Sequence, residues 1–189
     1  MKSRAFSLIE LLAVMAMMAA LMLLVLPSFN SVSDANKITE AGRSLLDQID
    51  AARQQAEVSG STVELRFLKK NKPGETHYTG MQLLLSGTKA DKVIALPEGV
   101  AILNSDTFSP WFSSMFAGTM PASNTVWDRA SYRSFKVRSS GAIEPIPVSP
   151  HQLFLTVAST RTAPTSGTLA NYATIQVNPD TARPLLYRP

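Results

Sequence analysis

Side chains that could carry acid–base or metal chemistry are few and widely separated in this sequence. The chain has two histidines, His77 and His151, and no cysteine. Neither histidine has a carboxylate at the spacing of a metal-ligand pair or of an acid–base pair. The sequence also contains no phosphate-binding glycine loop, no Gly-x-Ser-x-Gly elbow and no Asp-rich calcium loop. We therefore predict a protein that is not an enzyme and has no metal or cofactor.

The acidic residue in the most unusual setting is Glu10. It lies in residues 6–26, a stretch of 21 residues that is apolar except for Ser7 and Glu10. A helix of about 20 such residues is as long as the hydrocarbon core of a bilayer is thick. Lys2 and Arg4 precede the stretch, so the sequence predicts a membrane-spanning helix with a cytoplasmic N-terminus.

A carboxylate inside a membrane span is costly, and two explanations are open for Glu10. In the first, the side chain reaches back to the headgroups and is stabilised by the helix N-terminus. In the second, its partner belongs to another molecule. An ordinary secretory signal peptide, cut near residues 33–35, is disfavoured because its apolar region would be much shorter and would carry no acid.

Residues 4–12, RAFSLIELL, resemble the class III signal of type IV pilins and type II secretion pseudopilins. The resemblance implies that prepilin peptidase cuts between Ala5 and Phe6 and that the new N-terminus of Phe6 is methylated. It also implies that Glu10 pairs with the N-terminal ammonium of a neighbouring subunit, and that Pro27 is a helix-softening proline. The family's usual residue before the cut is glycine, and Ala5 differs from it.

Beyond Pro27 the apolar residues follow a helical period and then a strand period. The helical stripe consists of Ile38, Ala41, Leu45, Ile49, Ala52 and Ala56. Gly60 is the predicted end of this helix. Residues 62–68 alternate between apolar and polar, and residues 80–85 are the predicted returning strand. Further strands are predicted at residues 93–96, 100–103, 132–138, 152–158 and 172–177, the first two of these forming a pair through 97–99.

These patterns predict an α+β, pilin-like fold in which one long N-terminal helix packs on a mainly antiparallel β head. The predicted segments are a leader at 1–5, a transmembrane or filament-core helix at 6–26, the amphipathic half of the same helix at 27–60, and the β head at 61–189.

The head has a second resemblance. Residues 45–67 look like the opening of the minor pseudopilin H heads. The strings LPEGV at 96–100 and NYATIQVNP at 171–179, with the closing YRP, are similar to the pilin-like Verru_Chthon cassette protein D family. That family tends to have glycine where this chain has Ala182, and an alanine there is unfavourable in any turn that needs a positive φ.

Residues 106–129 hold several aromatic side chains among serine, proline and glycine. This segment is interpreted either as a lid over one end of the sheet or as an exposed aromatic surface that docks a neighbouring subunit. The candidate docking residues are Trp111, Phe112 and Phe116.

The resemblance implies a structural minor pilin or pseudopilin, assembled into a periplasmic or surface filament of a type II secretion or type IV pilus-like system. Its partners would be prepilin peptidase, other pilin-like subunits and inner-membrane lipid. The predicted location is the inner membrane, with a single span and a periplasmic head. The alternative is a tip subunit whose head binds a surface, a polymer or DNA. A formal charge of +4 is not a nucleic-acid-binding pattern, and the lysines at 69, 70 and 72 are more typical of a solvated loop.

Overall fold

The computed structural model describes residues 7–85, 89–146, 152–161 and 168–189, without the side chains of residues 23–32 and 89. The chain divides into two compact units, Met1–Asn36 and Lys37–Pro189. The helices are α1 (Leu8–Ser59) and α2 (Trp111–Ser114). The strands are β1 (Val63–Lys69), β2 (Gly80–Leu85), β3 (Lys89–Ala90), β4 (Ile94–Ala95), β5 (Val100–Ile102), β6 (Phe116–Thr119), β7 (Ser131–Val137), β8 (Ile143–Glu144), β9 (Phe154–Ser159), β10 (Tyr172–Val177) and β11 (Pro184–Tyr187).

The described strands form two antiparallel sheets. Sheet A has the order β3-β2-β1-β7-β6, with β4 also paired to β2 and β8 to β7. Sheet B has the order β11-β10-β9-β5. Tyr78 and Ile102 exchange two backbone hydrogen bonds, of 3.1 and 2.9 Å, and so connect the chain just before β2 with the end of β5. This bridge links the two sheets through main-chain atoms.

The core of the second unit is built around the apolar stripe of α1. All six residues of the stripe, from Ile38 to Ala56, are fully buried in one cluster with side chains of both sheets. Gly42 lies where the helix approaches sheet B: a methyl group on it would be 3.2 Å from both Ala173 Cβ and Leu186 Cδ1. The helix can approach β10 and β11 this closely because position 42 has no side chain.

α1 ends where the sequence predicts. Gly60 has a φ of +61°, the left-handed conformation that commonly terminates helices and that glycine adopts without steric penalty. The strand at 80–85 and the strand at 172–177 have the predicted bounds. Ala182 has a φ of +49° and is fully buried, so the alanine does occupy a conformation that favours glycine.

The predicted pairing of strands 93–96 and 100–103 is wrong. β4 pairs with β2 in sheet A, whereas β5 pairs with β9 in sheet B. The turn at 97–99 therefore passes the chain from one sheet to the other. Strands β6 and β11 were not predicted; each is four residues long, and neither FAGT nor PLLY alternates between apolar and polar residues in sequence.

The predicted membrane span is wrong on this structure. The pilin-like fold class and the single-pass inner-membrane location that were predicted with it are wrong too. Within the described part of the chain, no helix is both long and apolar enough to cross a membrane. Most of the elements there are antiparallel strands.

Leu45 tests whether the helix stripe holds the head together. Leu45→Ala should lower the free energy of unfolding by about 2–5 kcal/mol, because the side chain is fully buried and its removal leaves a cavity. Gln54→Ala, at an exposed position of the same helix, is the control and should change stability by less than about 0.5 kcal/mol. Urea unfolding measures both, and equal stabilities for the two variants would contradict this account of the core.

Candidate functional site

Glu10 has a partner within its own chain. The backbone N–H of Ser7 donates to Glu10 Oε2 at 2.9 Å, and the backbone N–H of Glu10 donates to Ser7 Oγ at 3.3 Å. This reciprocal pair is a capping box, which satisfies two of the N–H groups left free at a helix start. The Ser-x-x-Glu spacing before an apolar run is the sequence signal for it, although the capping box was not among the features predicted from the sequence.

The first described turns of α1 expose apolar side chains on every side. All residues from Ser7 to Met22 are exposed, and Leu8 has 86% of its surface accessible. Ser7 and Glu10 are the two polar residues among residues 7–22. A helix that is apolar all round is normally buried, so this surface is typical of a segment that other molecules cover. We call residues 8–22 the apolar helix segment.

Three other N-terminal sites were predicted: the cleavage position, the methylated N-terminus and the proline kink. The cleavage position at Ala5 and Phe6, with the N-methylation of Phe6, lies outside them. The side chain of Pro27 lies outside them too, although α1 runs through this position as helix. The predicted cut and the predicted kink therefore stay predictions. Because Ser7 and Glu10 both follow the predicted cut, processing would leave the capping box intact.

Of the two interpretations of residues 106–129, burial favours the packed one for Trp111 and Phe112. Trp111 is fully buried, with its ring 4.5 Å from that of Phe135, and Phe112 packs edge-on against Phe67 at 5.6 Å. Both rings belong to the main core because α2 turns them inward. Phe116 is exposed, 46% accessible, with the Lys136 ammonium 5.2 Å above its ring. Two of the three candidate residues therefore stabilise the fold and cannot meet a partner.

The outer face of sheet A carries an ion pair. Arg66 Nε donates to Glu64 Oε1 at 2.9 Å, and the guanidinium also lies 4.5 Å over the ring of Tyr132. Burial would raise the pKa of Glu64, but the hydrogen bond and charge of Arg66, with the charge of Lys136, outweigh it and lower that pKa. Glu64 is thus held as a carboxylate in a structural pair.

His77 lines a polar cavity of about 340 Å³ together with Glu75, Glu98 and Lys70. Its Nδ1 accepts a hydrogen bond from the backbone N–H of Asn104 at 3.1 Å. Among the described residues, no group of three or more His, Cys, Asp or Glu side chains is positioned to hold a metal ion. His77 therefore acts as an acceptor that ties two loops together.

A second cavity, of about 390 Å³, opens on the outer face of sheet B. We call it the threonine cleft; it is lined by Thr107, Phe108, Phe154, Thr156, Thr168, Leu169, Tyr172 and Thr174. It was not predicted from the sequence, because its lining residues come from three separate segments.

Ser109 fixes one wall of the threonine cleft. Its Oγ accepts the backbone N–H of Thr156 at 3.0 Å, at the point of β9 just beyond the last residue paired with β5. The neighbouring N–H of Leu103 donates to the carbonyl of Thr156 at 2.9 Å. The buried serine thus continues the sheet pairing with its side chain and holds Thr107 and Phe108 beside the strand.

No family model, no curated protein and no solved structure matches the chain. The likenesses to pilins and pseudopilins therefore remain resemblances of sequence motifs.

Ser109 should be important for stability because its hydroxyl satisfies a buried backbone N–H. Ser109→Ala should lower the free energy of unfolding by about 1–3 kcal/mol, the typical cost of a buried donor left without a partner. Ser139→Ala, at an exposed position, should change it by less than about 0.5 kcal/mol. Urea unfolding of both variants provides the comparison, and a fully stable Ser109→Ala would rule out the pinning role.

His77 should make stability depend on pH. Burial lowers its pKa, the Lys69 charge lowers it further, and the Glu75 charge opposes them in part. The folded chain thus binds this proton more weakly than the unfolded chain, whose His pKa is about 6.5. Its contribution to stability is complete above that value and is lost as the pH falls from there through the folded pKa.

The matched variant for His77 is His77→Asn, which keeps a hydrogen-bond acceptor but does not titrate. Between pH 7.5 and 5.5 the thermal unfolding midpoint of the wild type should fall more than that of His77→Asn. Parallel losses in the two proteins would show that His77 is not the titrating group.

Proposed function

We propose that the chain is a non-enzymatic structural subunit, matured by prepilin peptidase and assembled with other subunits into a filament through its apolar helix segment. The observation that carries the proposal is the exposure of every described side chain from Leu8 to Met22. Burying one leucine-sized side chain contributes about 1.5–3 kcal/mol, so covering this segment supplies a large driving force for assembly.

The occupant that suits this surface is a bundle of like helices from neighbouring subunits. A helix that is apolar on one face docks in a groove, whereas one that is apolar all round needs partners on all sides. A filament core made of the same segment from successive subunits provides such surroundings. The resemblance of residues 4–12 to the class III signal supports the same assembly and names the enzyme that would process the chain.

Glu10 would then have two roles in succession. In the single chain, Glu10 Oε2 accepts the Ser7 N–H and closes the helix start. A carboxylate offers about four acceptor positions, so one hydrogen bond leaves capacity for an ammonium group from a neighbour. Proteolysis between Ala5 and Phe6 would create that ammonium on each mature subunit. The exposed carboxylate at the head of an apolar segment would then help to set the register between subunits.

Intact-mass analysis of the protein from its native cells tests maturation. The expected mature chain lacks Met1–Ala5 and carries one added methyl group on Phe6. Cross-linking from a photoreactive residue at Met15, which is exposed in the single chain, should yield adducts with other subunits that carry an apolar N-terminal helix. Recovery of an uncut chain as the working form, or no subunit adducts, would refute the proposal.

Glu10→Gln separates the capping role from the charge. Glutamine also completes a capping box, so the helix start and the processing of the chain should be preserved. The charge is lost, and assembly should weaken by about tenfold or more, as is typical when one partner of a desolvated charge pair is removed. The measurement is the fraction of the protein recovered in filaments.

Glu10→Leu is the companion variant, because it removes both the cap and the charge. It should lower assembly at least as much as Glu10→Gln and also loosen the first turn of α1, which circular dichroism of a peptide covering residues 6–26 would detect. Normal assembly of Glu10→Gln would show that Glu10 serves only as a cap.

A further inference from the structure

The threonine cleft has the size and position of a ligand site. Its volume of about 390 Å³ falls within the range of small-molecule pockets. It lies within the second unit, on the face of sheet B that points away from the main core. Leu155, Val157, Ala173 and Ile175 point into that core, so Phe154, Thr156, Tyr172 and Thr174 take the opposite face by alternation.

The floor of the cleft is a pair of threonines framed by two aromatic rings. Thr156 and Thr174 are opposite each other in the β9–β10 pairing, and their Oγ1 atoms are 3.2 Å apart. Phe154 and Tyr172 each lie two residues earlier on the same face of their strands. Because the strands are antiparallel, the two rings lie on diagonally opposite sides of the hydroxyl pair.

The walls of the cleft come from outside the sheet. Thr107 and Phe108 form one wall, which Ser109 holds against β9 through the Thr156 N–H. Thr168 and Leu169, just before β10, form the other. Because Ser109 holds this wall in place, the cleft is preorganised before a ligand binds. Preorganisation reduces the conformational entropy lost on binding.

The chemistry of the lining selects a neutral ligand. None of the eight described lining residues is charged, so an ionic group would lose its hydration without gaining a counter-charge. A nucleic acid or a phosphate is therefore disfavoured. The four threonine hydroxyls are both donors and acceptors, and the rings of Phe108, Phe154 and Tyr172 supply apolar surface.

We infer that the threonine cleft binds a neutral sugar unit of a polysaccharide. A pyranose ring has an apolar C–H face suited to an aromatic ring and a rim of hydroxyls suited to threonine. It carries no charge. An apolar peptide side chain would use the rings but would bury the hydroxyl pair of Thr156 and Thr174 with only each other as partners, which leaves part of their hydrogen-bonding capacity unused. This inference does not depend on the proposed filament.

The test is binding of the purified full-length chain to immobilised neutral oligosaccharides: maltohexaose, cellohexaose, mannohexaose and β-1,4-galactohexaose. A parallel set of uncharged octapeptides rich in leucine and phenylalanine probes the alternative occupant. We expect saturable binding to at least one of the oligosaccharides and none to the peptides. Binding to none of the four, or to the peptides alone, would overturn the inference.

Substitutions localise the binding to the cleft. Thr174→Val removes a floor hydroxyl with little change of shape, and Phe108→Ala removes a ring from a wall outside the sheet; each should weaken sugar binding by about tenfold. The matched controls are Thr119→Val and Phe116→Ala, at exposed positions of β6 in sheet A, which should bind as the wild type does.

Each variant is first checked for a wild-type circular dichroism spectrum and a cooperative thermal transition. Wild-type affinity in both folded cleft variants, or an equal loss in the controls, would place the sugar elsewhere and refute the assignment. If either cleft variant fails to fold, the other decides the outcome. If both fail, Thr107→Val at the exposed rim of the cleft takes their place, and wild-type affinity in that variant refutes the assignment.

Discussion

The structure depends on one packing constraint, the burial of the apolar stripe of α1 against both sheets. Six residues spaced three or four apart, from Ile38 to Ala56, are completely removed from water. Such a stripe covers one side of a helix, so the sheets must provide apolar faces opposite it. They do so through period-two alternation in β1, β7, β9 and β10, and Gly42 permits the contact with sheet B at van der Waals distance. The bridge between Tyr78 and Ile102 then couples the sheets directly.

The segment between β5 and β6 shows how the same core also shapes the surface. Trp111 packs against Phe135, and Phe112 packs against Phe67. These two contacts fix the end of the segment. Ser109 fixes its middle on β9. With both points held, the residues immediately before Ser109 stand at the edge of sheet B and become a wall of the threonine cleft. Core packing and cleft geometry are therefore set by the same few residues.

Features of the fold that are set by residues close together in the sequence could be predicted, whereas those set by residues far apart could not. The helix stripe, the stop at Gly60 and the strands at 80–85 and 172–177 follow from local period and turn chemistry, and these were predictable. The partners of β4 and β5 were not, because spacing along the chain does not reveal that 97–99 changes sheets. The sequence left open whether Trp111 and Phe112 are buried or exposed, because aromatic residues among Ser, Pro and Gly show no period. The membrane span was inferred from the length and apolarity of residues 6–26 and from the basic residues before them, and the capping box of Ser7 and Glu10, although visible as the Ser-x-x-Glu spacing, was overlooked.

The two surfaces of interest belong to different units and use different physics. The apolar helix segment lies in the first unit, and none of the described residues of the main core precedes Ile38. Covering that segment is a non-directional process driven by buried area, so its strength depends on how many apolar side chains are covered. The threonine cleft, in the second unit, would select a ligand by hydroxyl direction and ring placement, so its affinity would depend on a few atoms. Because the core that supports the cleft contains none of the described residues of the apolar helix segment, the proposed assembly and the proposed sugar binding depend on separate sets of residues.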